Sequence, residues 1–343
     1  MKKVFFVIFA LLGLVFADVR AENSAYQANQ GEKKALNSAS QTKQSSTKQE
    51  STKQKAPARQ ANSAQTKINS SSDFNSTSKQ NLNISKGQVL FLSFDKQGLK
   101  GISSTSNLYK KEQKHKFFAH PTKDNKVVLV FSSAYKKPIK KAKITALYKS
   151  GQSLKYDLLG NEGFYPKEFL KVDQSKITPP KEVLARIEKE LSEANAVYAT
   201  YTDESLFDGK FILPINSAIT SKFGTARLFN QTLASYHSGV DFRALVGTPI
   251  VAANDGIVRI AKDRYYAGGS IVIDHGHKIF SQYYHLSELK VKVGQKVKKG
   301  EVIALSGDSG RVTGAHLHFG IFAGGTQVDP LDFIEKFNAL FDD

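Results

Sequence analysis

Thr313-Gly-Ala-His-Leu-His-Phe-Gly-Ile-Phe322 decides how the rest of the chain is read. Its β-branched and aromatic flanks favour a strand, and in a strand residues two apart share a face. His316 and His318 then look into one cleft while Leu317 turns to the core. On a helix the same spacing would send the two imidazoles to different sides. A second stretch, His237-Ser-Gly-Val-Asp241, supplies an imidazole and a carboxylate four residues apart. Fully extended, their Cα atoms would lie roughly 13 Å apart, too far to share a metal. A bend at 238–239, which Gly239 permits, would bring them to one point. His285, in Ser281-Gln-Tyr-Tyr-His-Leu-Ser287, ends a further strand directed at the same region. Four histidines and one aspartate thus gather from three segments. Such a set suits a zinc ion that keeps one position open for water. The His-x-His pattern is cheap by itself, since it recurs at His275-Gly-His277. There Gly276 and polar neighbours mark a hairpin turn, and both histidines read as turn residues.

Outward from this site, the chain from about Phe207 has a β texture punctuated by glycine. Strands are expected at 250–253, 256–261, 270–274, 280–284, 301–306 and 316–322, forming an all-β domain over 205–335. Upstream, Thr178-Pro-Pro-Lys-Glu182 opens a connecting helix over 178–204, with Leu184, Ile187, Leu191, Ala194 and Tyr198 as its packed stripe. A two-stranded coiled-coil seam is the rival use of that stripe. Before it, strand-like runs at 89–94, 126–131, 142–148 and 168–172, with turns at Lys137-Pro138 and Gly160-Asn161, predict a small antiparallel β-sandwich over 85–175. His115 and His120 lie in a Lys-rich stretch and read as solvated loop residues. The fold class is therefore mostly β, with the helix between two β domains.

The N-terminus carries Lys2 and Lys3 ahead of an apolar run, Val4–Phe16, too short for a comfortable membrane span. It reads as a secretory signal over 1–21, with cleavage after Ala17 or Ala21 and no stable membrane insertion afterwards. Residues 22–84 are dominated by Ser, Thr, Gln and Lys, with Thr-Lys-Gln at 42–44, 47–49 and 52–54. They bury too little apolar surface to offset ordering and read as a disordered tether. Within it Asp73-Phe-Asn-Ser-Thr77 fits an acidic-x-Asn-x-Thr glycosylation pattern at Asn75. There are no cysteines, so a metal must be held by His and carboxylate. The net charge of +18 favours an acidic polymer as partner. Nucleic acid is not expected, because no helix-turn-helix, RNA-binding or finger signature focuses that charge.

Taken in order, His237-x-x-x-Asp241, Tyr283-Tyr-His-Leu-Ser287 and Gly314-Ala-His-Leu-His-Phe319 resemble the lysostaphin/LytM-type zinc metallopeptidases. The resemblance covers roughly 205–335 and includes Gly247-Thr-Pro-Ile-Val-Ala-Ala253, Asp255-Gly-Ile-Val258, Val293-Gly-Gln-Lys-Val-Lys-Lys-Gly300 and Ser306-Gly-Asp-Ser-Gly310. The upstream β module and helix resemble periplasmic members with an extra β domain. The resemblance implies Zn²⁺ held by His237, Asp241 and His318, with His285 and His316 as the catalytic pair around the water. It implies peptidoglycan peptide stems as substrate, a D-alanyl–diaminopimelate bond as target and a periplasmic or envelope location. Ala315 and Gly320 replace flanking residues often seen in the family, and neither is a ligand. The family's oxyanion-assisting Tyr has no clear counterpart; Tyr236 is the candidate. Two other classes stand beside this one. A non-enzymatic activator of a cell-wall amidase would have lost the zinc set, which is complete here. A biotinyl- or lipoyl-type carrier would use the 293–303 turn but has no need of the histidines.

Overall fold

The computed structural model describes residues 79–170, 179–229 and 232–342. The expected signal, the Asn75 site and the tether up to residue 78 lie outside them; residues 79–84, expected as the end of the disordered tether, instead belong to a strand, Lys79–Ser85, paired with Ser153–Asn161. All described residues fall in one compact unit, Asn75–Asp343. No described helix is long and apolar enough to cross a membrane.

The first part is a two-sheet sandwich. One sheet runs, edge to edge, Lys79–Ser85, Ser153–Asn161, Lys141–Tyr148, Leu99–Ser106, Tyr109–His115; the other runs Val89–Asp95, Lys126–Ser132, Phe118–Ala119. Alternation sets the inner faces. In Lys141–Tyr148, Ala142, Ile144 and Ala146 are buried, while Lys141, Lys143 and Leu147 on the other face are exposed. One pair departs from the antiparallel expectation: Lys79–Ser85 lies parallel to Ser153–Asn161. Gly160 is not the turn residue its Gly-Asn pair suggested. It is in that strand, and a Cβ there would stand 1.5 Å from the Ile139 carbonyl oxygen, so glycine is required by close approach. His115 and His120 are not solvated loop residues either. His115 ends a strand with its Nε2 2.7 Å from Ser104 Oγ, and burial lowers its pKa. His120 is buried and accepts the Thr122 N–H at 3.3 Å.

Lys167–Leu170 does not join the sandwich. It pairs in parallel with Ala226–Phe229, whose hairpin partner Thr232–Tyr236 leads directly to His237. Helix α1 (Lys181–Ala199) follows, starting after Pro180. Of the expected stripe, Ala194 is buried, Tyr198 packs beside Ile260, Val272 and Phe280, and Ile187 is half-buried, but Leu184 and Leu191 are exposed; Glu190 and Val197 take part in the packed face instead.

The remaining chain forms a ten-stranded sheet whose main path is Ile219–Ser221, Val240–Arg243, His316–Ala323, Ile279–Leu289, Gly268–Asp274, Gly256–Arg264, Lys296–Val297. Helix α2 (Pro330–Asn338) closes it, capped by Asp329, which accepts the Leu331 N–H, with proline at its start. The sandwich keeps its own core between its two sheets, while Val89, Phe118 and Val128 from its smaller sheet pack into the core of the C-terminal domain. Phe91 meets Phe333 and Phe337 edge-on at 5.6 and 5.5 Å. Asp332 of α2 accepts the Val89 N–H, and Lys336 donates to the Val89 carbonyl. Each such aromatic pair adds about 0.5–1.5 kcal/mol beyond burial.

Candidate metal centre and its histidines

The sheet register builds the site. Asp241 stands directly opposite His318, and Arg243 opposite His316. Directly opposed residues in an antiparallel pair send side chains to the same face. Asp241 and His318 therefore meet, two residues along from His316. His237 enters from the neighbouring hairpin through a bend at Gly239. That glycine keeps an ordinary φ; its requirement is room. A Cβ there would lie 2.4 Å from the Phe319 carbonyl oxygen and 2.6 Å from His318 Nε2.

Three donor atoms converge. His237 Nε2 lies 2.8 Å from Asp241 Oδ1 and 2.9 Å from His318 Nδ1, which itself lies 2.9 Å from the same oxygen. All three residues are buried, none more than 6% exposed. His237 Nδ1 is 3.0 Å from the Lys222 carbonyl and 3.2 Å from Ser221 Oγ. Donation to that carbonyl places the proton on Nδ1 and leaves the Nε2 lone pair facing inward. A lone pair aimed at a carboxylate oxygen and a second imidazole nitrogen is reconciled only by shared positive charge. The donor set, two imidazoles and a carboxylate, fits a divalent transition metal of the zinc class. Burial would raise the Asp241 pKa, but hydrogen bonds with His237 and His318 outweigh it and hold the carboxyl well below the ordinary range. It is a carboxylate at any working pH.

The other two histidines stand alongside. His316 is half-buried, its Nε2 3.7 Å from Asp241 Oδ1 and its Nδ1 2.8 Å from the Gly314 carbonyl. His285 lies with its ring centre 4.8 Å from that of His316, and its Nδ1 is 2.9 Å from the Ser309 carbonyl. Both carbonyls commit Nδ1–H, so each ring keeps Nε2 as its available base. Burial first, then the neighbouring His318 and His316, lower the His285 pKa to about 3. All five sequence-derived residues are thus brought together. Tyr236 is placed differently from an oxyanion donor's expected surroundings: its ring stacks on Tyr135 of the sandwich at 4.1 Å, and burial pushes its hydroxyl up to about 12. His275 and His277 do sit at the turn after Gly268–Asp274, yet both are buried; His277 stacks on Phe118 at 4.7 Å.

Sequence reasoning missed the supports. Tyr284 lies flat against His318, 5.3 Å away with planes 2° apart. The orienting partners of His237, His316 and His285 are backbone carbonyls, which no residue type signals. Only Tyr284 left a trace, as the residue before His285.

Residues 235–330 match the family model for peptidase family M23. The C-terminal domain is a peptidase family M23 domain. Over 121 residues the chain is 41% identical to peptidoglycan DD-endopeptidase ShyA of Vibrio cholerae, covering 34% of this chain and 28% of ShyA. Over 106 residues it is 39% identical to lysostaphin of Staphylococcus simulans, covering 29% of this chain and 22% of lysostaphin. The matches thus span less than a third of either relative. A crystal structure of a putative M23 peptidase from Pseudomonas aeruginosa superposes with a TM-score of 0.51 at 25% identity. That likeness covers 72% of this chain and 94% of the other, and so reaches well beyond the M23 domain itself.

Proposed function

We propose that the chain is a zinc-dependent endopeptidase that hydrolyses peptide cross-links of peptidoglycan in the cell envelope. The observation that carries this is the meeting of His237, Asp241 and His318 with His285 and His316 alongside. His237, Asp241 and His318 would hold Zn²⁺. Bound there, the ion would supply a water acidified toward neutrality and a Lewis acid for the scissile carbonyl. His285 and His316 present Nε2 to the reacting region. They take up the proton lost by the attacking water and return it to the leaving amine. Burial keeps His285 neutral, so its Nε2 lone pair is available to accept a hydrogen bond from that water. Tight packing excludes bulk water from the ligand side of the cleft, where all three donors are buried.

The bond we assign is D-alanyl–diaminopimelate, in keeping with the DD-endopeptidase relative. The net charge of +18 suits a carboxylate-bearing polymer. The N-terminal sequence directs the chain out of the cytoplasm, into the periplasm or envelope. An amidase activator without activity of its own is the competing function, and the completeness of the five-residue set speaks against it. Digestion of purified dimeric muropeptides tests the reading. Dimers should become monomers, chelation should stop this and Zn²⁺ restore it, while His318→Ala should lose both metal and activity. A wild-type protein that holds zinc but leaves dimers intact would overturn it.

A further inference from the structure

Helix α1 lies outside the segment shared with the M23 family, and it carries a buried acid. Glu190 is 8% exposed on a helix whose leucines turn outward. Buried carboxylates require partners, and this one has them. Oε1 accepts from Arg186 Nε at 2.7 Å, and Oε2 accepts the Tyr265 backbone N–H at 2.9 Å. Arg264 donates to the Glu190 carbonyl at 3.2 Å. The helix therefore pins the turn that follows Gly256–Arg264.

That turn holds His285. The Ala267 carbonyl accepts the His285 N–H at 2.8 Å, and the Tyr266 carbonyl accepts the Arg311 N–H at 2.9 Å. The Arg311 guanidinium lies over the Tyr266 ring at 4.5 Å. Two residues before Arg311, the Ser309 carbonyl receives His285 Nδ1–H. Ser309 Oγ in turn donates to the Leu286 carbonyl and accepts the Gly269 N–H. Gly310 has no room for a side chain, since a Cβ would stand 2.4 Å from Gly268 N. His285 needs such a grip: its φ is +65°, in the left-handed region. A non-glycine residue there is strained and persists only when its surroundings over-determine it.

The same helix reaches the other side of the site. Tyr198 accepts from Gln282 Nε2 at 2.7 Å, and its hydroxyl lies 3.4 Å from that of Tyr284, the ring stacked on His318. We propose that helix α1 braces the histidines from behind, with Glu190 a positioning residue for His285 and Tyr198 one for His318. The geometry stands by itself; its catalytic meaning rests on the metallopeptidase reading above.

The test uses the zinc-loaded full chain with Glu190→Ala, Glu190→Gln and Tyr198→Phe. Three things are measured: kcat and KM on dimeric muropeptide, zinc content against a chelator, and the ¹⁵N-histidine spectrum, with His285 assigned by His285→Gln. Glu190→Ala should lower kcat about tenfold or more, leaving KM within about twofold and zinc unchanged. Its His285 signal should move from a fixed Nδ1–H tautomer to an exchange-averaged one. Glu190→Gln keeps an acceptor for the Tyr265 N–H and should recover most of the loss. Tyr198→Phe should weaken zinc retention by roughly threefold and leave the His285 signal alone. The brace is overturned if Glu190→Ala keeps wild-type kcat and His285 spectrum. It is equally overturned if the Gln variant is as impaired as Ala, or if kcat falls only in step with zinc and folded fraction. Should the wild-type protein cleave no muropeptide, the functional reading falls, and the His285 spectrum alone decides the brace.

Discussion

Gly239→Ala puts the metal centre under a defined strain. The new Cβ would lie 2.4 Å from the Phe319 carbonyl oxygen, 2.6 Å from His318 Nε2 and 2.7 Å from its Cε1. To restore ordinary contact the His318 ring must retreat by about 0.8 Å. It cannot do so freely, because Tyr284 lies flat against it and its backbone is locked opposite Asp241. Overpacking of this kind costs about 1–3 kcal/mol of stability. Displacing a ligand by nearly an ångström should also weaken zinc binding by about 10–100-fold, the range seen when groups that orient ligands are removed. Chelator competition measures the affinity and thermal melting the stability. Gly101→Ala is the control, since a Cβ there meets nothing within 4 Å. If Gly239→Ala binds zinc as tightly as wild type, the claim that this glycine is kept for the ligand's sake is wrong.

Other outcomes follow from the same geometry. His237→Ala and Asp241→Ala should lose metal together with activity, whereas His316→Ala and His285→Ala should keep the metal and lose about 10²–10⁴-fold in kcat; metal loss in the latter pair would reverse the assignment of ligands and bases. His275 is fully buried, with its pKa lowered to about 4 by burial. The unfolded chain then takes up a proton between its ordinary value and pH 4 that the native state refuses. Its contribution should therefore be intact above pH 6.5 and withdraw about 3 kcal/mol as pH drops to 4, read as the difference in pH dependence between wild type and His275→Gln, since His285 and His115 shift in the same direction. Melting of both proteins across that range checks this, and a flat difference counts against it. Phe91→Ala should cost up to about 3 kcal/mol, because the ring is only partly buried, and calorimetry of wild type should show one transition, because Val89, Phe118 and Val128 of the sandwich pack into the core of the C-terminal domain; two separate peaks would refute that coupling.

The M23 domain was legible because its central strands are short runs rich in β-branched and aromatic residues, buried nearly throughout, with glycine-bearing turns between them. The quoted histidine strand matched almost to the residue, His316–Ala323. Other elements were hidden by identifiable physics. Tyr109–His115 contains three lysines and a glutamate, and no apolar run announces it; it is a charged sheet edge, where such residues discourage pairing with other chains. Helix α1 was recognised, but its leucines misdirected the choice of face. The face it buries carries Glu190, whose carboxylate is met by Arg186 one turn back and by the Tyr265 N–H 75 residues on, the latter invisible to a hydrophobic pattern. The five site residues could be proposed from type and spacing. Their tautomers could not, since carbonyls of Lys222, Ser309 and Gly314 set them.

The pairing of Asp241 with His318 across one ladder has a bearing on quality control. A slip of one position would turn one of the two outward, and no shared cation could then be captured. A chain slipped in this way could not hold a metal at this site, so bound zinc per chain would report the fraction of molecules in the correct register.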